Sequence, residues 1–324
     1  MSAPIVPVAV VGCGSFGRHH ARIYRQLPQA QLVGVYDLQP ERALALGAEF
    51  GVPVLTSLQQ VAQAARAASV AVPTSVHAAV TTRLLDAGVD VLVEKPIAPT
   101  LAAADEMIAA ARRNQRLLMV GHLERFNPAV VLVRPRVRQP LFFEVHRLSV
   151  FTPRSLDVDV LLDLMIHDLD LVLSFVNSPV SDLQAVGLAV LSPHTDIANL
   201  RLSFENGCVA NFTASRVSTE RVRKLRFFQP REYLSLDLAR HDAEVYRLGA
   251  TPGAPLPSLQ HEHYGGGGIE PLQSELQAFL AGAASRRPPE CDGAAGRAAL
   301  AIALRAAAAV REHRQKLGIA PVTR

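Results

Sequence analysis

Residues 5–17 read Ile5-Val6-Pro7-Val8-Ala9-Val10-Val11-Gly12-Cys13-Gly14-Ser15-Phe16-Gly17, and this stretch decides the fold. The first seven are apolar and rich in β-branched side chains, the composition of a strand buried on both faces. Pro7 is tolerable there because it stands near the strand's start. The glycines at 12, 14 and 17 are spaced G-x-G-x-x-G, and His19 to Leu27 beyond them reads as helix. Such a triplet alone is a weak sign. Between a strand and a helix it is a turn that lays a pyrophosphate on a helix N-terminus. Gly12 permits the tight turn, Gly14 lets a phosphate approach the backbone, and Gly17 lets helix and strand pack closely. Ser15 and Phe16 lie inside that turn and are candidate contacts.

Further along, strand-like runs at 31–36, 52–55, 68–72, 89–93 and 117–120 alternate with helix-like runs at 40–50, 57–65, 75–87 and 101–114. This alternation predicts a doubly wound parallel sheet with right-handed crossovers, an α/β nucleotide-binding domain over residues 1–122. Asp37 ends the second strand, 20 residues after Gly17. A carboxylate there can accept both ribose hydroxyls and repel a 2′-phosphate. Leu38 and Gln39 bring no cation to offset the repulsion, so NAD is expected rather than NADP.

The pattern changes after Gly121. Residues 140–150, 182–191, 197–205, 207–217, 222–229 and 232–238 alternate as strands, with Glu205-Asn206-Gly207 as a hairpin signal. They predict an antiparallel sheet in a second domain, 123–324. One long helix, about 159–176, interrupts the strands. The Pro- and Gly-rich residues 249–268 are expected to form a mobile loop, and helices at about 271–283 and 293–317 close the chain.

Composition narrows the function classes. The 324 residues are 49% hydrophobic and 19% charged, which suits a globular protein in water. No uncharged apolar run reaches the roughly 18 residues of a membrane span. The N-terminus lacks the basic segment and apolar core of a signal peptide. Cys13, Cys208 and Cys291 form neither a CxxC pair nor a disulfide framework, which suits a reducing compartment. A cytoplasmic location is therefore expected. The net charge of +4 is mild and spread out. The basic stretches 134–138 and 221–226 read as solvated surface, with a site for an anionic ligand as the functional alternative. Neither a membrane nor a nucleic acid is an expected partner.

Two further segments carry chemistry. Lys95, in Glu94-Lys95-Pro96, directly follows a buried strand. Ligands of such sheets bind beyond the strands' carboxyl ends, so Lys95 is aimed at the cofactor, with Glu94 as its neighbour. On the mid-chain helix Asp159, Asp163 and His167 fall at i, i+4 and i+8 among Val160, Leu161, Leu162, Leu164, Met165 and Ile166. A polar stripe on a buried helix requires partners. It suits a structural hydrogen-bond cluster, or a pair in which Asp163 orients His167 as a base near neutral pH. A metal is not expected, because no third His or Cys stands at a suitable spacing. Asp170, close behind His167, suits a sugar-hydroxyl contact or an ion pair equally.

Taken in order, the glycine loop, Glu94-Lys95-Pro96, Gly121-His122-Leu123-Glu124-Arg125-Phe126-Asn127-Pro128 and Asp163-x-x-x-His167 resemble the glucose–fructose oxidoreductase/inositol dehydrogenase (Gfo/Idh/MocA) family over essentially the whole chain. The resemblance implies a Rossmann domain followed by an α+β domain on a large, open, mostly antiparallel sheet. It also implies a homodimer or homotetramer built through that sheet. The family's catalytic lysine maps onto Lys95, and its catalytic aspartate and histidine onto Asp163 and His167. Its cofactor loop maps onto Pro73-Thr74-Ser75-Val76-His77. The implied cofactor contacts are thus Gly12, Gly14, Ser15, Phe16, Gly17, Asp37, Pro73, Thr74, His77, Glu94 and Lys95.

Residues 121–128 and 163–170 look most like the sugar-nucleotide branch. That branch implies oxidation of the 3-hydroxyl of a UDP-N-acetylhexosamine such as UDP-GlcNAc, giving a 3-keto sugar for amino-sugar synthesis of the lipid A type. Arg125, Asn127 and Asp170 then join Lys95, Asp163 and His167 as substrate contacts. The family often carries a glycine-rich segment before its catalytic aspartate, where this chain has Asp157-Val158-Asp159-Val160. The alternatives are a free cyclitol or monosaccharide dehydrogenase, an NAD-dependent glycoside hydrolase and a silent NAD-binding regulator.

Overall fold

Small and β-branched residues give the first sheet strands that can be buried on both faces. They are β1 (Val6–Val11), β2 (Ala30–Tyr36), β3 (Ala67–Val70), β4 (Asp90–Glu94) and β5 (Leu118–Gly121). The computed structural model describes residues 4–151, 158–249 and 258–318. All pairings in this sheet are parallel, in the order β2-β1-β3-β4-β5. The crossovers are α1 (Ser15–Gln26), α2 (Pro40–Phe50), α3 (Leu58–Ala64), α4 (His77–Asp86) and α5 (Leu101–Arg113). Pro40 opens α2 at its first turn, and Gly51 closes it in the left-handed region at φ 61°. Ser57 and Thr100 cap α3 and α5 by accepting the Gln60 and Ala103 amides. The strand order reverses between β1 and β3, so a crevice opens beyond their carboxyl ends, at the Gly12 turn.

The strand expected at 52–55 is reduced to a single bridge between Val54 and Val35. Pro53 has no amide hydrogen to donate, so the ladder stops after the Val35 and Leu55 amides have paired.

The chain divides into two compact units, Met1–Leu123 with Glu270–Leu300, and Glu124–Ile269 with Ala301–Arg324. α8 (Pro271–Ser285) and the start of α9 (Gly293–Lys316) therefore belong with the parallel sheet. The segment before α9 covers the β5 edge, where the Val120 amide donates to the Cys291 carbonyl at 2.7 Å. A Cβ on Gly296 would stand 2.6 Å from Val120 Cγ2, so the missing side chain is what lets α9 lie this close. By length and composition alone α9 could cross a membrane, but half of its most apolar window is buried within the fold.

The second unit carries β6 (Phe142–Val150), β7 (Val180–Leu188), β8 (Ile197–Phe204), β9 (Val209–Ser218), β10 (Val222–Gln229), β11 (Glu232–Asp237), β12 (Asp242–Gly249) and β13 (Ser258–Tyr264). Their order is β13-β12-β11-β10-β6-β9-β8-β7, antiparallel except for the β6–β9 pair. Period-two alternation gives the sheet two faces. On one, Phe143 and Phe227 stack against Phe175 of the covering helix α7 (Ile166–Val176), with ring centroids 5.2–6.4 Å apart. On the other, Phe142, Phe228, Tyr233, Tyr246 and His261 form an in-register ladder across five strands, neighbours 4.4–5.9 Å apart.

β12 and β13 extend the sheet beyond the expected strands. β13 lies inside the stretch expected to be a loop, because Gln260, His261, Glu262 and His263 on this edge strand show no apolar alternation. Residues 250–257 of that stretch lie outside the described residues. The mid-chain helix is also not uniform. A π-turn over Leu161–Met165 precedes α7.

Asp196 closes the β7–β8 connection. Its carboxylate accepts the Val190, Leu191 and Ser192 amides at 2.7–2.9 Å and the Ser192 hydroxyl at 2.7 Å. Burial alone would raise its pKa, but these donors outweigh burial and hold it below the ordinary carboxylate value. A lowered pKa contributes stability that is present above the unfolded value and lost as pH falls through the folded one. Asp196→Asn is expected to cost about 2–3 kcal/mol at pH 7. Urea unfolding should show that gap narrowing as pH falls below the ordinary aspartate range; a gap independent of pH would contradict the assignment.

Candidate active site

The crevice of the first unit is a cleft of about 630 Å³. Gly12, Gly14, Ser15 and Phe16 form one wall, Asp37, Leu38, Gln39 and Arg42 a second, and Pro73, Ser75 and Val76 part of the third. A Cβ on Gly12, at φ 96°, would stand 2.5 Å from the Ala71 carbonyl oxygen, and one on Gly17 would overlap the Gly12 carbonyl oxygen. A Cβ on Gly14 would meet no protein atom within 4 Å, so that position opens onto the cleft. No side chain caps α1 at Gly14. Its first amides are left to an anion, which is what a dinucleotide's pyrophosphate requires.

Asp37 is fixed at the end of β2, where Oδ2 accepts the Cys13 amide at 2.7 Å and Oδ1 the Gln39 amide at 2.8 Å. The residues thus fit NAD: an amide cradle for the phosphates and a carboxylate for the ribose. Burial, with the charge of Asp37, pushes the Cys13 thiol up to about 12, against the pull of Arg42. The raised value disfavours the thiolate, the nucleophilic form. Leu58, Ala79 and Val80 also line the cleft, and Arg42 is the charged cleft residue that sequence reasoning missed. It lies five positions past Asp37, on the first turn of α2, where helical spacing could have revealed it.

Lys95 leaves the carboxyl end of β4, half-buried, through a cis bond to Pro96. Glu94, the last residue of β4, is buried and meets His20 of α1, Nε2 to Oε1, at 2.9 Å. Burial would raise the Glu94 pKa, but His20, Lys95 and the Lys95 amide hold it below the ordinary value, so it stays ionised. His77 does not line the cleft. It is buried, with ring nitrogens facing the Pro96 and Val72 carbonyl oxygens at 3.0 and 2.9 Å. Burial lowers its pKa against the pull of those carbonyls, and the ring sits between the Val72 carbonyl and Pro96, at the exit from Lys95.

In the second unit, Asp163 sits in the π-turn and His167 in the first turn of α7, both half-buried. Asp159 does not share their helical face. It precedes the helical turns and accepts the Thr195 amide at 2.7 Å. Arg125 and Asp170 meet each other as a buried bidentate pair, both bonds 2.6 Å. Asn127 caps α6 (Pro128–Val133) by accepting the Ala129 amide, and donates to Glu124 and to the Leu238 carbonyl.

A second buried group joins them. Arg147 of β6 donates twice to Asp168, at 2.7 and 2.8 Å, and once to Glu124, at 3.1 Å. Burial lifts the Asp168 carboxyl against the pull of Arg147. For Arg147, burial opposes the charge, but two carboxylates outweigh it and keep the guanidinium protonated. Sequence reasoning missed this group. Its signal was an arginine in the inward phase of β6, after Phe143 and Val145.

Residues 6–122 match an oxidoreductase family with an NAD-binding Rossmann fold, and residues 129–229 match the GFO/IDH/MocA C-terminal domain. The chain is 37% identical to a UDP-N-acetylglucosamine 3-dehydrogenase of Acidithiobacillus ferrooxidans over 95% of its length and 98% of that protein's. A solved structure of that dehydrogenase superposes with a TM-score of 0.90, covering 96% of this chain and 99% of the other. A D-apiose dehydrogenase of Paraburkholderia graminis is 29% identical over 74% of this chain and 68% of its own.

The Arg125–Asp170 pair yields a stability test. Arg125→Met removes the bidentate donor of the buried Asp170 carboxylate and is expected to cost about 3–5 kcal/mol in urea unfolding. The double variant Arg125→Met/Asp170→Leu is expected to recover at least half of that loss. Simple additivity of the two single losses would rule out a mutual pair.

Proposed function

Because the chain belongs to the Gfo/Idh/MocA oxidoreductase family, whose NAD-binding enzymes share this two-domain fold, we propose that it oxidises the 3-hydroxyl of a UDP-N-acetylhexosamine, UDP-GlcNAc in the first instance, to the 3-keto sugar. The observation that carries this reading is the extent of one likeness. Identity to a UDP-N-acetylglucosamine 3-dehydrogenase spans both units rather than the nucleotide-binding unit alone. Bound NAD supplies the acceptor for the hydride that leaves the ring carbon.

The chain's own residues do the rest. The amides at the start of α1 hold the pyrophosphate, and Asp37 takes the adenosine ribose hydroxyls. His167 removes the hydroxyl proton as the carbon–oxygen bond becomes a carbonyl, and Asp163 orients the imidazole. Lys95 donates to the same oxygen and stabilises the negative charge that develops on it. Arg125, Asn127 and Asp170, held by the Arg125–Asp170 pair and by Glu124, contact the sugar nucleotide. A homo-oligomer formed through the open face of the large sheet and a place in amino-sugar synthesis accompany this reading.

The test is incubation with NAD⁺ and a panel of UDP-sugars against free sugars and cyclitols. NADH is followed by absorbance, and products are examined by mass spectrometry for a loss of two hydrogens. UDP-GlcNAc is expected to give NADH and the oxidised sugar nucleotide. Lys95→Met and His167→Ala are each expected to lower kcat by about 10²–10⁴. Turnover of free sugars but not UDP-sugars would assign the alternative substrate class. Full rates in both variants would end the mechanism.

A further inference from the structure

We propose that His20 is a positioning residue which, through Glu94, fixes the backbone and the local charge beside Lys95. The inference rests on the reading of Lys95 given above. His20 occupies the buried face of α1, in phase with Gly17, Ala21 and Tyr24, and has no solvent exposure. Its Nε2 faces Glu94 Oε1 at 2.9 Å. An ionised carboxylate only accepts, so Nε2 carries the hydrogen.

Glu94 is held from three sides. α1 supplies the imidazole, and the Lys95 amide donates to the carboxylate. β5 presents Gly121, where a Cβ would stand 3.1 Å from Glu94 Oε2. The other nitrogen of His20, Nδ1, is buried without a hydrogen-bond partner among the described residues. For packing alone this site suits a leucine, which would leave no polar atom unpaired. The imidazole is accounted for by its donation to Glu94. Without that donor, burial drives Glu94 to take up a proton or turn away. Lys95 then loses both a backbone anchor and the anion next to it.

The first test needs no substrate. The chain contains three lysines, Lys95, Lys224 and Lys316, so competitive acylation read by mass spectrometry gives Lys95 two internal references. With its backbone anchor and the neighbouring carboxylate gone, the Lys95 side chain is less restrained and more open to the reagent, so His20→Leu and Glu94→Gln are expected to raise Lys95 labelling about threefold or more against the references. His20→Gln, whose amide can donate from the Nε2 position, is expected to stay near wild type. Labelling unchanged in both His20→Leu and Glu94→Gln overturns the proposal. If His20→Leu does not fold, Glu94→Gln and His20→Asn, whose amide is too short to reach Oε1, decide by the same ratio.

The second test is kinetic, with NAD⁺ and UDP-GlcNAc. His20→Leu is expected to lower kcat about 10–100-fold through misplacement of the lysine. KM for NAD⁺ should stay within about twofold, since the pyrophosphate cradle is untouched. His20→Gln should recover most of the rate. Equal losses in the Leu and Gln variants would reduce His20 to packing and overturn the proposal. Lys95→Met separates the two layers. If it is inactive while His20→Leu is fully active, only this inference falls. If Lys95→Met is fully active, the reading of Lys95 falls and takes the inference with it.

Discussion

Everything in the first unit depends on how closely α1 approaches β1. The Gly12 carbonyl occupies the space where Gly17 would carry a side chain, so no larger residue fits there. That contact fixes the direction of α1, and with it three things at once. The free amides of its first turn point into the cleft. Its buried face brings His20 to Glu94, and Tyr24 to the Ser69 hydroxyl at 2.7 Å. The cleft's other walls then follow from the sheet order, which places the ends of β2 and β3 on either side of the glycine turn.

The second unit is organised around charge instead. A sheet face lined by phenylalanines would pack on α7 through apolar contacts alone, yet Arg147, Asp168, Glu124, Arg125 and Asp170 are buried there. Each guanidinium reaches a carboxylate with paired bonds, and Asn127 ties Glu124 to the backbone near β11. Such groups fix geometry more than they add stability, because burying the charges costs much of what pairing returns. Here they anchor both the segment after β5 and the first turns of α7, which carries His167.

The chemistry-bearing segments were legible in the sequence because each is local. A glycine spacing between strand and helix, a carboxylate ending the next strand and a lysine ending a buried strand depend on neighbours a few positions away. Of the antiparallel strands, β12 alternates at Ala243 and Val245 yet went unread, while β6 to β11 were legible by their alternation. The edge strand β13 was not, since its polar side chains face solvent and show no such phase. Val52 to Leu55 looked like a strand by composition, but Pro53 prevents it from pairing as one. The π-turn was invisible, because an i+4 spacing looks the same whether or not one turn is widened.

What the sequence determined by itself was the class of fold, the cofactor and the family, for these rest on short-range patterns whose physics is fixed by spacing. What only the tertiary structure decided was the partnership of each buried polar group. Arg125 and Asp170 are 45 residues apart, His20 and Glu94 74. A buried charge must find a partner, but spacing along the chain does not say which one. Only the folded packing of α1 on the parallel sheet, and of α7 on the large one, brings those atoms within hydrogen-bond reach.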